Sequence, residues 1–87
     1  MIAEFPNAGC VRGAGTTSRR KMAAARAALL RSCGRARTGR FRLLTGTATM
    51  TGVAFFDLIH GQRGVASNGI ELHPVLRFKA TSRCASR

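Results

Sequence analysis

Between Arg40 and Asp57 the apolar residues recur at every second position, and the phase of that alternation slips by one residue at Gly46. Before the slip, Phe41 and Leu43 share a face. After it, Ala48, Met50, Ala54 and Phe56 lie opposite Thr47, Thr49, Thr51, Val53 and Phe55. Period-two alternation signals a strand with one covered face. A one-residue slip exchanges the faces, so the backbone must bulge or coil at Gly46. Gly52 offers a second bend. A long strand kinked by glycines is what a small, strongly coiled sheet needs. With 87 residues to build around it, the chain buries only roughly 60–65% of its unfolded surface, so any core is thin.

The flanking segments supply the other elements. Met1 to Phe5 is a short apolar stretch stopped by Pro6 and reads as the end of a strand, over 1–5. Asn7 to Ser18, with three glycines and a Thr-Thr-Ser run, reads as loop. Arg19 to Cys33 is rich in strong helix formers, with Thr17 or Ser18 as N-cap and Gly34 at the C-terminal turn. The helix is expected over about 18–33, with Met22, Ala25, Leu29 and Cys33 on one face. Arg19, Arg20 and Lys21 crowd its positive end, an arrangement that a nearby anion would relieve. Residues 58–69 form a glycine-rich loop. From 70 to 79 alternation resumes: Ile70, Leu72, Leu76 and Phe78 face one way, and Glu71, His73, Val75, Arg77 and Lys79 the other. Pro74 has no N–H to donate, so this is an edge strand or a strand with a break. Residues 80–87 read as a disordered tail.

The expected fold is therefore α+β and mainly β. It has about three strands, at 1–5, 40–57 and 70–79, the second long and bent, and one helix between the first and second. A helix between the third and fourth strands is the arrangement of the oligonucleotide/oligosaccharide-binding (OB) barrel. On that pattern, residues 1–79 are a single incomplete OB-like domain whose first two strands are absent. Such a piece leaves strand edges unpaired, which favours low stability and self-association.

Charge narrows the partners. The chain carries 15 Lys and Arg against three Asp and Glu, a formal charge of +12, and thirteen of its basic residues are Arg. Ten basic residues fall in 1–45 with only Glu4 to oppose them. Such a surface attracts nucleic acid and other polyanions without a specific site, and Arg enrichment from a GC-rich coding bias accounts for it equally well. No apolar run approaches the roughly 20 residues of a membrane helix, and no signal peptide is visible at the start.

The stretch from Thr51 to Leu76 carries Gly52-Val53, Phe55-Phe56-Asp57, His60-Gly61-Gln62 and Asn68 through Leu76 as blocks. It resembles the C-terminal signature of a bacterial family of small, often exported OB-like domains with no assigned activity. The resemblance extends upstream to Met1 through Pro6, Cys10, and the Ala-rich helix ending in Cys33-Gly34. It implies an earlier hairpin, so that Met1 corresponds to an internal methionine, and it implies export for full-length relatives.

Candidate sites follow from these patterns. OB barrels stack bases on aromatics beside cations, which makes Arg40, Phe41, Arg42, Phe55, Arg63 and Arg77 the candidate nucleic-acid-binding set. Asp57, His60, Gln62, Asn68, Glu71 and His73 are read as a structural motif that holds the loop against the sheet. Carboxylate and imidazole at Asp57, His60, Glu71 and His73 would also suit a transition metal, but Glu71-Leu72-His73 matches no dedicated metal signature, so no metal and no cofactor is assigned. No nucleophile elbow or P-loop is present, so no enzyme activity is expected. Cys10 and Cys33 are the candidate disulfide, favoured by the family resemblance; in a reducing compartment both would be free thiols. Cys84 reads as an exposed tail thiol. The functional expectation is weak, sequence-independent polyanion binding. The alternative is a structural or accessory domain of an exported bacterial protein with no nucleic-acid role.

Overall fold

Alternation and helix-forming runs fix most of the elements, and their pairing builds an open sheet covered on one face by a helix. The structure, a computed structural model, describes residues 1–36, 39–56, 60–61 and 66–86. Its elements in chain order are β1 (Ile2–Ala3), a 3-10 turn (Ala8–Cys10), α1 (Thr16–Cys33), β2 (Leu44–Thr45), β3 (Ala48–Phe56), β4 (Ile70–Ala80) and β5 (Ala85–Ser86). Strand exceeds helix, as expected of an α+β, mainly β chain.

β4 is the centre of a three-stranded mixed sheet in the order β1-β4-β3. β1 runs parallel to it and β3 antiparallel. The sheet is not closed into a barrel; β1 and β3 form its two edges among the described residues.

Pro74 thus lies in a central strand, not at an edge, and the strand is irregular around it. Glu4 donates its N–H to the carbonyl of Leu72 at 2.9 Å, and the next donor to the Glu4 carbonyl is Val75, also at 2.9 Å. Val75 supplies the bond that Pro74 cannot. The same irregularity reaches β3, whose register with β4 shifts on both sides of Gly52. A Cβ built on Gly52 would lie 2.6 Å from the Pro74 carbonyl oxygen and 3.2 Å from Val75 Cα. Gly52 therefore admits the backbone of β4 at a distance no side chain allows. The irregularity also corrects the expected facing of Val75: it is not an outward residue but the most deeply buried side chain of the described core, which also includes Met22 and Ala25 of α1.

The run 40–57 is not one strand. It divides at Gly46, where φ is +155° and a Cβ would meet the Arg83 carbonyl oxygen at 3.1 Å. β2 leaves the main sheet there and pairs antiparallel with β5. The polypeptide beyond β4 turns with it: Thr81 and Ser82 donate their N–H groups to the Thr47 carbonyl, and the Ser82 hydroxyl accepts from the Thr47 N–H at 2.8 Å. The tail expected to be disordered is instead folded back through residue 86.

The cysteine pairing differs from the expected one as well. Cys33, at the end of α1, is bonded to Cys84, with the two Cα atoms 5.1 Å apart across a sequence separation of 51. Cys10 is an exposed free thiol. The backbone turn at Gly46 and Arg83 is what carries Cys84 to the helix end, so Cys84 is not a tail thiol and Cys10 has no role in the bond.

The helix begins two residues earlier than expected. Its N-cap is Gly15, which supplies no side-chain hydrogen bond, rather than Thr17 or Ser18. Its C-terminal end is better satisfied: Gly34 donates to the Leu30 carbonyl at 2.9 Å, and the Arg42 guanidinium donates to the Cys33 carbonyl at 2.8 Å. Arg26 ties the helix to the segment that follows β1 by donating to the Phe5 carbonyl at 2.8 Å. Phe5 and Phe78 meet edge to face, centroids 5.8 Å apart.

Candidate functional site

On β3 the positions expected to face away from the apolar side, Thr49 and Thr51, are exposed, while Ala48, Met50 and Gly52 are partly covered. β4 alternates in the same way, with Arg77 and Lys79 exposed and Phe78 and Ala80 partly covered. Antiparallel pairing sets Thr49 opposite Lys79 and Thr51 opposite Arg77. Directly opposite residues point to the same face of a sheet. The result is a patch of two cations and a hydroxyl ladder, continued by Thr81, around a concavity of about 330 Å³. Guanidinium and ammonium groups are donors only, and a guanidinium fork matches two phosphate oxygens at once. The threonine hydroxyls add donors whose orientation adapts to the anion. Toward the far end of β3, Val53 and Phe55 are exposed, and the Phe55 ring meets the His73 imidazole edge to face at 6.1 Å.

Two residues of the expected nucleic-acid set, Phe55 and Arg77, are on β3 and β4. Arg40 and Phe41 are exposed in the segment before β2. Arg42 has other work: its guanidinium serves the last turn of α1 through Cys33 and lies over Gly34. Arg63 lies outside the described residues, as do Asp57 and Gln62 of the expected structural motif. Of the rest of that motif, His60 is exposed, and the Asn68 side chain accepts from the Ile70 N–H at 3.1 Å, fixing the entry to β4.

Glu71 and His73 lie together with a residue outside the expected set, Glu4. The three place ligand-capable atoms within 4.8 Å of one another, and His73 Nδ1 pairs with the Glu4 carboxylate. Positions two apart on a strand share a face, which aligns Glu71 with His73. The parallel pairing of Ile2 with Glu71 and Ala3 with Leu72 then brings Glu4 alongside His73. Glu71 is buried at 5% exposure.

Alternation places Arg77 and Lys79 on one face, but the expected nucleic-acid set does not include Lys79, Thr49, Thr51 or Thr81. The signal was present: a Thr-x-Thr run and an Arg-x-Lys run in consecutive strands become one patch once the strands pair. Glu4 carried no such local signal, because its neighbours come from a parallel pairing across most of the chain.

No family model, curated protein or solved structure matches this chain. Among the described residues, no helix is long and apolar enough to cross a membrane.

Proposed function

We propose that this chain is a non-enzymatic module that binds single-stranded nucleic acid, weakly and without sequence preference, on the open face of β3 and β4. The observation that carries the reading is the register placing Arg77 and Lys79 directly opposite Thr51 and Thr49. Phosphate oxygens would sit between the cations and the hydroxyls, and the exposed ring of Phe55 offers a stacking surface farther along the same strand. The net charge of +12 draws the polyanion in but does not locate it. This is an OB-like use of a sheet, supported by the strand break at Gly46 and the register shift at Gly52, though the sheet remains open.

The test is a pair of charge-matched double variants. Arg77→Glu with Lys79→Glu is expected to weaken binding to an oligothymidine on the order of tenfold and to flatten the dependence of log K on log salt by about 1.4, two phosphate contacts at ~0.7 each. Arg19→Glu with Arg20→Glu changes the net charge equally and is expected to cost less. Equal losses from the two pairs would mean that charge alone, not this face, governs binding.

A second reading is favoured by the Cys33–Cys84 bond. Disulfides persist in oxidising compartments, as suits an accessory domain of an exported protein with no nucleic-acid role. On that reading, neither double variant has any binding to lose.

A further inference from the structure

We propose that Glu4, Glu71 and His73 form a binding site for a divalent transition metal, with zinc as the ion their donors suit best. The chain has three acidic residues and two histidines. Two of those acids and one of those histidines converge within 4.8 Å.

The donors are also held by backbone. Glu71 and His73 stand two residues apart on β4. Glu4 is pinned between Leu72 and Val75 by two backbone hydrogen bonds of 2.9 Å. Sites mounted on paired strands hold their geometry better than sites on loops. Burial is graded in the manner of a site with one open side: Glu71 is almost fully enclosed, while the side chains of Glu4 and His73 are 44% and 49% exposed. Those two side chains border a cavity of about 640 Å³, which leaves room for water or an external ligand on the ion. The edge contact from Phe55 restrains the His73 ring. One imidazole nitrogen with two carboxylates is a donor set that zinc accepts with a fourth position open. This inference uses none of the cations on the open face and shares only Phe55 with the polyanion reading.

The experiment uses the full chain with its disulfide intact, freed of metal by chelation and titrated with zinc chloride by calorimetry. Metal content after gel filtration gives the stoichiometry. One zinc per chain is expected, together with a rise in melting temperature that grows with free zinc. Glu71→Gln keeps the size and burial of the side chain and removes a charged ligand; it is expected to lower affinity at least about tenfold, as is His73→Ala. Should Glu71→Gln fail to fold, Glu4→Gln at the partly exposed ligand gives the same readout. Cys10→Ser and His60→Ala are expected to leave both stoichiometry and affinity unchanged. Zinc absent after gel filtration, wild-type affinity in the folded glutamine variants, or loss of binding in Cys10→Ser would each overturn the proposal.

Discussion

Replacing Cys84 by serine is expected to lower the unfolding free energy by about 2–4 kcal/mol and the melting temperature by on the order of 10 °C or more. Cys33 and Cys84 are 51 residues apart in sequence, and closing a loop of that length removes unfolded-chain entropy worth about 4 kcal/mol in the simplest treatment. The bond matters more here than in a larger domain. The deeply buried apolar side chains of the described core are Met22, Ala25 and Val75, and a small domain has only about 5–15 kcal/mol in total to lose. The bond also closes one wall of a cavity of about 190 Å³ bordered by Leu29, Met50 and Phe78, so its loss frees the end of α1 and the returning C-terminal segment together. Thermal melts of the oxidised wild type, Cys84→Ser and Cys10→Ser decide the matter. The exposed Cys10 is expected to be replaceable at no cost. A destabilised Cys10→Ser beside an unaffected Cys84→Ser would reverse the assignment of the bond.

Gly52→Ala is expected to destabilise the fold by about 1–3 kcal/mol. The added methyl would lie 2.6 Å from the Pro74 carbonyl oxygen and 3.2 Å from Val75 Cα. Both are backbone atoms, so no side-chain rotation makes room and β3 must move away from β4. That movement disturbs the segment in which Val75 is fully buried. Gly13→Ala is the control, because nothing lies within 4 Å of its built Cβ and the change is expected to stay within about 0.5 kcal/mol. Urea unfolding of the two variants provides the comparison. Equal stabilities would mean that β3 and β4 do not approach at Gly52 as described.

The sequence revealed local periodicity well and long-range pairing poorly. Alanine-rich helix propensity located α1, and two-residue alternation located β3 and β4. The phase slip marked the turn at Gly46, because exchanging faces at one residue leaves the backbone no smooth path. The partner of each strand was hidden. Nothing near Met1 indicates that Ile2 runs parallel to Glu71, so the central position of β4 and the approach of Glu4 to His73 could not be read locally. Cys84 reads as a tail thiol for a related reason: a short polar C-terminal segment looks disordered unless its pairing with Leu44 and Thr45 is known. Strict alternation misplaces Val75 because the ladder is interrupted at Pro74. Arg42 looked like a surface cation because its alternative role, serving the Cys33 carbonyl, depends on how the chain re-enters after the helix.

The functional reading rests on where a nucleic-acid strand lies, so its most direct test maps contact residue by residue. In a titration of the isotopically labelled, oxidised chain with an oligothymidine, followed by amide proton–nitrogen correlation spectra at moderate salt, the largest shifts are expected at Thr49, Thr51, Arg77, Lys79 and Thr81. Shifts centred on Arg19, Arg20 and Lys21 at the start of α1, or no shifts at all, would contradict it.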